Sequence, residues 1–255
     1  MGTWISHLRI AEKLLAAIPD LDEISFTFGN LSPDSGLPNA DWTQFEPPKS
    51  VTHFLHSSND EAGIHDLEFY CKYLSNSVSS SSDSYSSFAL GYFFHLLCDN
   101  LWAKRIVATM KREQAGLFLA RGKKDSIELI KTDWYGLDQR FVRDHPESIF
   151  WRVLLHAPNP PQYLPFIPPV ALNHQLDYIR KFYAEPDATW VLDRAYPYLN
   201  GATMTRFVDD ATASLLKIYS RLGELSDLGD SPTALMLLAE DEIAPYVPPL
   251  GDLLT

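Results

Sequence analysis

The chain has 255 residues, and 45% of them are hydrophobic, which supplies enough apolar side chain for a substantial core. Its 33 acidic residues outnumber its 21 basic ones, for a net charge of −12, and this balance argues against partners such as nucleic acid or anionic membranes. The most apolar window, residues 88–102, is interrupted by His95, Asp99 and Asn100 and is too short to span a bilayer, so the sequence predicts no transmembrane helix.

The first predicted element is a helix over residues 4–18. Its apolar residues recur close to the helical period, and Pro19 ends it. The chain does not begin with the basic and then apolar stretch of a secretory signal, so we expect a cytoplasmic protein. Residues 25–50 are rich in Pro, Gly, Asn and Asp, and this composition predicts a long ordered loop of the kind that often carries function.

The middle of the chain predicts one short helix and one long helix. Residues 66–74 form the short helix, and a serine-rich linker follows over residues 78–87. Residues 88–111 form the longest predicted helix, and because they are apolar on most of its circumference we expect a central, buried element. Cys71 and Cys98 lie in apolar surroundings, and we expect both to be buried free thiols.

The second half of the chain also predicts helices. Their ranges are residues 126–142, 146–156, 173–182 and 203–222, with Pro146 at a first helical position. Residues 157–170 hold six prolines and predict a rigid loop between helices. Because strand-like alternation is not sustained over several segments, the sequence predicts an all-α fold in a single domain, residues 1–255.

His95 and Asp99 are the most informative pair for function. Residues four apart project from the same face of a helix, and imidazole nitrogen and carboxylate oxygen are both good zinc donors. The same spacing is also typical of an ordinary hydrogen-bonded contact within a helix. The apolar residues around the pair would draw both side chains into the core, however, and an unpaired buried carboxylate is costly. A bound metal would remove that cost.

Three further candidate donors lie in the N-terminal fifth of the chain: His7, Asp34 and His53. Each alone has an ordinary interpretation, as an interior histidine, an Asx turn and a helix-cap contact respectively. Together they supply the His and Asp ligands that a two-metal hydrolytic site requires.

Four segments in order resemble the motifs of the zinc-dependent phospholipase C family, which is structurally akin to single-strand-specific zinc nucleases. They are residues 6–10 (SHLRI), 29–34 (GNLSPD), 52–54 (THF) and 91–102 (GYFFHLLCDNLW). The match covers residues 4–110, whereas residues 111–255 carry only a helical pattern. The resemblance implies an all-helical, metal-dependent phosphoric ester hydrolase.

The resemblance also implies roles for the five donors. Asp34, His53 and His95 would hold one zinc, Asp99 would bridge to a second, and His7 would bind that second ion. The residue that matches Asp34 is the proposed general base of the family. The implied reaction is attack of metal-activated water on a phosphodiester.

The chain departs from the family pattern at two places. Secreted members complete the second site with the free amino group and carbonyl of an N-terminal Trp, whereas Trp4 is internal here. Three-zinc members place two His and a Glu after the His-x-x-x-Asp helix, whereas this chain offers Arg105 nearby and then Asp133, Trp134 and Asp138. Asp138 is a candidate additional ligand, and the helical pattern also explains it as a solvated carboxylate. We therefore expect one or two zinc ions, with a third uncertain.

Two other functions fit parts of the sequence. The adjacent pair His65 and Asp66 resembles the HD-type metal phosphohydrolases, with His53 or His56 and Asp99 as the partners. A domain that keeps the helical fold and binds metal without turnover is the second alternative. The substrate class we expect is a small-molecule or lipid phosphoester, selected by loops at residues 40–49 and 157–170.

Overall fold

The computed structural model describes residues 1–56, 63–75, 83–228 and 231–246. Helices dominate these residues, and the expected all-α class is confirmed. The α-helices are α1 (Trp4–Ala17), α2 (Glu23–Gly29), α3 (Lys49–Thr52), α4 (Asp66–Phe69), α5 (Ser84–Trp102), α6 (Ala108–Glu113), α7 (Ala115–Arg121), α8 (Lys123–Asp144), α9 (Pro169–Ala184), α10 (Gly201–Tyr219) and α11 (Glu240–Ile243).

Shorter elements connect these helices. Wider π-helical turns cover Tyr70–Leu74, Ala103–Val107 and Phe150–Leu154, and 3-10 helices cover Ser32–Asp34, Leu222–Leu228 and Ala234–Leu237. A small antiparallel sheet pairs β1 (Leu37–Pro38) with β2 (Phe45–Glu46), with Leu37 opposite Glu46. Among the described residues, no helix has both the length and the apolar composition of a membrane span.

Two predictions in the first half need correction. The expected loop over residues 25–50 is wrong for residues 25–29, which belong to α2, because the Asp22 carboxylate caps that helix at the Ser25 amide. The expected linker over residues 78–87 is wrong at its end, where Asp83 caps α5 and the helix starts at Ser84. Residues 78–82 of that linker lie outside the described residues.

The prolines of the second half act at different positions from those expected. Pro146 lies in a turn, and the helical backbone that follows is mainly the π-helical turn Phe150–Leu154 rather than a helix over residues 146–156. Helix α9 instead starts at Pro169, ahead of the expected residue 173, with proline in its first turn. Cys98 is buried as expected, but Cys71 is exposed; both thiols are free.

Helix α5 lies at the centre of the core. All of its residues from 86 to 102 are buried, and the helical backbone continues through Ala103–Val107 into α6, in agreement with the long helix predicted over residues 88–111. Two glycines let α2 and α5 touch through their backbones: a Cβ on Gly91 would lie 2.3 Å from the Phe26 carbonyl oxygen, and one on Gly29 would lie 2.0 Å from that of Phe88. This close approach brings the end of α2 against the middle of α5.

Candidate metal centre

The five predicted donors converge on the central helix. His7 comes from α1, Asp34 from the 3-10 turn after α2, and His53 from the residue that ends α3, while His95 and Asp99 lie one turn apart on α5. The three imidazoles and Asp99 are buried, and Asp34 is almost so. Two groups among the described residues bring their donor atoms close enough to share a metal ion: His7, His95 and Asp99; and Asp34, His53 and His95.

The donor atoms are spaced as ligands rather than as hydrogen-bond partners. Asp99 Oδ1 lies 3.3 Å from His7 Nε2, and Asp99 Oδ2 lies 3.5 Å from both His53 Nε2 and His95 Nε2. His53 Nε2 is also 3.6 Å from Asp34 Oδ1. Most hydrogen bonds are shorter than this, at about 2.7–3.2 Å, whereas donors about 2.1 Å from a tetrahedral zinc lie about 3.4 Å from one another.

The same atoms lack hydrogen-bond partners. Within the described part of the chain, the Nε2 atoms of His7, His53 and His95 and the Oδ2 atom of Asp99 are buried and make no hydrogen bond. Buried polar atoms are almost always paired, so a cluster of orphaned atoms that face one another is what a metal site leaves when no ion is bound. The donor set of imidazole nitrogens and carboxylate oxygens is one that zinc accepts.

Neighbouring groups orient two of the imidazoles. His95 Nδ1 lies 2.8 Å from the carbonyl oxygen of Asn30, which can only accept a hydrogen bond, so the proton sits on Nδ1 and Nε2 is left as the donor to a metal. His53 Nδ1 lies 3.0 Å from the Thr52 hydroxyl. Tyr92 in turn donates to the Thr52 carbonyl. These contacts aim both Nε2 atoms at Asp99.

Asp34 is held by two donors that sequence reasoning did not assign to the site. Lys49 Nζ lies 3.0 Å from Asp34 Oδ1, and the Trp4 indole donates to Oδ2 at 2.9 Å. Burial alone would raise the pKa of Asp34, but the Lys49 ammonium and the nearby imidazoles hold it well below its usual range. Lys49 follows Pro47-Pro48 at the start of α3, and no local pattern pairs it with a residue 15 positions away.

Asp99 also accepts a hydrogen bond from the chain's first residues. The Gly2 backbone amide donates to Asp99 Oδ1 at 2.6 Å, on the side of the carboxylate that faces His7. Trp4 instead contributes its indole, which donates to Asp34. Burial alone would raise the pKa of Asp99, yet the positive amino terminus and the surrounding histidines hold it well below its usual range.

The histidines respond differently to this environment. Burial, with the neighbouring His95, lowers the pKa of His7 to about 4, and burial also lowers the pKa of His53. Burial alone would also lower the pKa of His95. The Asp99 and Asp34 carboxylates more than offset burial, so the pKa of His95 is raised. His7 and His53 are therefore neutral at physiological pH, the form in which imidazole binds a metal.

A cleft of about 870 Å³ opens beside the cluster. Gly2, Trp4, Asp34 and Lys49 line the end nearest the metal donors. The remaining wall is mainly apolar and carries a few lysines: Trp42, Phe45, Val107, Met110, Lys111, Phe118, Leu119, Lys123, Ile127, Lys131, Trp134, Tyr135 and Tyr178. Residues 40–49 thus contribute to the cleft, whereas residues 157–170 do not line it.

The other candidate ligands are engaged elsewhere. Asp138 accepts hydrogen bonds from Thr3 Oγ1 and the Tyr183 hydroxyl, and it belongs to neither of the donor groups found among the described residues. Asp66 accepts hydrogen bonds from Asn100, Thr233 and the Ala234 amide, and it belongs to neither donor group. An HD-type metal site would need Asp66 beside the other donors, so this arrangement does not support that alternative.

Comparisons of the chain with protein-family models, with curated proteins and with solved structures found no match. The resemblance of residues 4–110 to zinc-dependent phospholipases C therefore stays a prediction.

Proposed function

We propose that this chain is a zinc-dependent hydrolase that cleaves a phosphate ester. The observation that carries the proposal is the set of orphaned donors: three buried Nε2 atoms surround a buried carboxylate at the spacing of zinc ligands, beside an open cleft. A purely structural cluster would be expected to pair these atoms with one another.

Two ions account for all five donors. Asp34, His53 and His95 would hold the first ion, Asp99 would bridge to the second, and His7 would hold that second ion. Asp99 is assigned as the bridge because its two oxygens face different histidines. The second ion would have fewer protein ligands, and therefore more open positions for water and substrate.

The ions, when bound, would lower the pKa of a water molecule and neutralise charge on the phosphoryl oxygens. The chain supplies the proton acceptor: Asp34 is ionised, lies at the end of the cleft and is the proposed general base. Lys49 keeps that carboxylate ionised and is itself half exposed to the cleft, where its charge favours an anionic substrate.

The side chains that line the cleft favour a substrate with a substantial apolar group. Aromatic and aliphatic side chains such as Trp42, Met110 and Phe118 line most of its length, and the charged groups are few. A phosphoester whose phosphate faces Lys49 and whose apolar part lies along this wall satisfies both ends of the cleft. A phospholipid phosphodiester is the substrate we propose.

Metal analysis and an activity assay test the proposal together. The purified protein is analysed for zinc and then assayed on a p-nitrophenyl phosphodiester and on phosphatidylcholine with zinc added. We expect bound zinc and hydrolysis, both lost in His95→Ala and both kept in the control His145→Ala, because His145 is exposed and pairs with Glu147. A chain that takes up no metal at saturating zinc contradicts the proposal.

A metal-binding domain without turnover is the second candidate. The sparse shell around His7 favours it, because that imidazole has no hydrogen-bond partner on either nitrogen among the described residues to fix its orientation. Bound zinc without hydrolysis of any phosphoester would identify this function.

A further inference from the structure

Helix α7 is apolar but not buried. None of its residues is buried, and Leu119 is 89% exposed, the most exposed of the large hydrophobic side chains described. Leu117 and Phe118 are only partly covered, and the helix packs mainly against the adjoining α6 and α8. We name residues 108–131 the basic finger; Leu119, in its middle, is its most exposed apolar side chain.

The basic finger carries a net positive charge, although the whole chain carries a net negative one. It holds six basic and three acidic residues, whereas the whole chain has a net charge of −12. Five of the six cations make no ion pair within the described part of the chain: Lys111, Arg121, Lys123, Lys124 and Lys131. The sixth, Arg112, pairs with Glu113 and donates to the Tyr246 carbonyl.

The lysines and apolar residues share one face. Lys123, Ile127 and Lys131 recur at four-residue intervals on α8, and they line the same cleft as Phe118 and Leu119. Gly122, with a φ of 78°, makes the turn between α7 and α8 that places the two helices side by side. The finger is therefore one wall of the cleft that leads to Asp34 and Lys49.

We infer that the basic finger is a docking surface for an anionic lipid bilayer. An exposed leucine beside unpaired lysines matches an interface whose headgroups are negative and whose interior is apolar. Exposed charges act over about 8 Å at physiological salt, so the local positive charge decides this contact and the net charge of the chain does not. The mouth of the cleft would then open towards the membrane.

Other occupants fit the finger less well. A nucleic acid would be attracted by the lysines, but it gains nothing from Leu119. A second copy of the finger would cover the leucine but would place lysines against lysines. The bilayer is the partner that uses both the charge and the apolar tip.

Vesicle co-sedimentation without added zinc tests this inference. The wild type is mixed with phosphatidylcholine vesicles, or with vesicles of equimolar phosphatidylcholine and phosphatidylglycerol. The finger variants are Leu119→Glu and Lys123→Glu. The matched controls are Val191→Glu, at an apolar residue that is 65% exposed away from the finger, and Lys181→Glu, at an exposed lysine of α9. Circular dichroism checks that each variant folds.

We expect the wild type to bind the anionic vesicles and not the neutral ones. Each finger variant should lower the partition coefficient about fivefold or more, and both controls should leave it unchanged. Finger variants that bind as well as the wild type would overturn the inference. So would binding to duplex DNA without binding to vesicles, or self-association that Leu119→Glu abolishes in a protein that ignores vesicles.

The test is separate from that of the proposed hydrolase. Vesicle binding needs neither zinc nor turnover, so His95→Ala should bind the anionic vesicles as the wild type does. A protein that binds vesicles but takes up no zinc would support the docking surface and contradict the proposed function.

Discussion

The two halves of the candidate metal centre share Asp99 but differ in how their other donors are held. On one side, the Nδ1 atoms of His53 and His95 contact the Thr52 hydroxyl and the Asn30 carbonyl, so both rings are aimed. On the other side, His7 has no hydrogen-bond partner on either nitrogen among the described residues, and it stacks on His95 at 3.9 Å.

This difference indicates different affinities at the two positions. Groups that orient a ligand typically change metal affinity by about 10- to 100-fold, so the oriented side should bind its ion more tightly. The side with His7 also lies beside Gly2, at the end of the cleft. We expect a firmly held ion with more protein ligands and a weaker ion with fewer.

Replacement of Asp99 should have the largest effect, because its carboxylate faces the donors of both proposed ions. Asp99→Asn keeps the size of the side chain but removes its charge, and we expect zinc affinity to fall by more than about 100-fold at both positions. Equilibrium dialysis with zinc measures the loss. If Asp99→Asn retains two ions, the assignment of Asp99 as the bridge is wrong.

His95→Ala and His7→Ala should separate the two positions. His95→Ala removes an oriented donor and should abolish tight zinc binding, whereas His7→Ala should retain one ion per chain and lose the weaker one. Mass spectrometry of the metal content gives the number of zinc ions per chain in each variant. Equal loss in both would contradict the proposed difference between the two sides.

Thr52→Val tests the contact that orients His53. The change keeps the shape of the side chain and removes the hydroxyl that lies 3.0 Å from His53 Nδ1. We expect zinc affinity to fall about 10- to 100-fold with the fold intact. The control is Thr27→Val, because Thr27 is also buried but its hydroxyl bonds only within α2, to the Glu23 carbonyl. A similar loss in both variants would indicate a general packing effect.

Lys49→Met should act on acidity more than on zinc content. Without the ammonium, burial of Asp34 is less well opposed, so its pKa rises and the proposed base is protonated up to a higher pH. The acidic limb of the pH–rate profile should therefore move to higher pH, while the variant still binds zinc. A profile that does not move would remove Lys49 from the role assigned to it.

The sequence predicted the parts of this centre that depend on local spacing. His95 and Asp99 share a face because helical geometry places residues four apart together, and the apolar residues around them predicted their burial. The contacts that distinguish the two sides join distant segments, such as Asn30 with His95 and Lys49 with Asp34. Tertiary packing sets those pairs, and periodicity carries no information about them.

Composition was a poor guide to the basic finger for a related reason. A net charge of −12 argues against an anionic partner only if charge is spread evenly. Three of the cations that make no ion pair among the described residues, Lys111, Lys123 and Lys131, line the same cleft as Leu119. The long helix over residues 88–111 was predicted because every turn of it is apolar, whereas α2 was missed because it has only seven residues and lies in a stretch rich in turn formers.

Asp138→Asn should have the smallest effect on zinc, because Thr3 and Tyr183 already occupy this carboxyl. Its effect should be on stability: burial raises the pKa of Asp138 from its ordinary 3.8 to about 7. Between these pH values the folded chain binds a proton that the unfolded chain has released, so the wild type loses stability as pH rises, by about 1.4 kcal/mol per unit of pKa difference at most.

The Asn variant lacks that titration, so it should gain stability relative to the wild type from about pH 4 to about pH 7 and keep the gain above it. Urea unfolding across this range measures the difference. Asp66, whose pKa burial also raises to about 7, contributes alike to both proteins and cancels in the comparison. If Asp138→Asn instead lowers zinc content, Asp138 is a ligand of the weaker ion despite its hydrogen bonds to Thr3 and Tyr183. The two sides of the candidate metal centre would then differ less in their number of ligands than we propose.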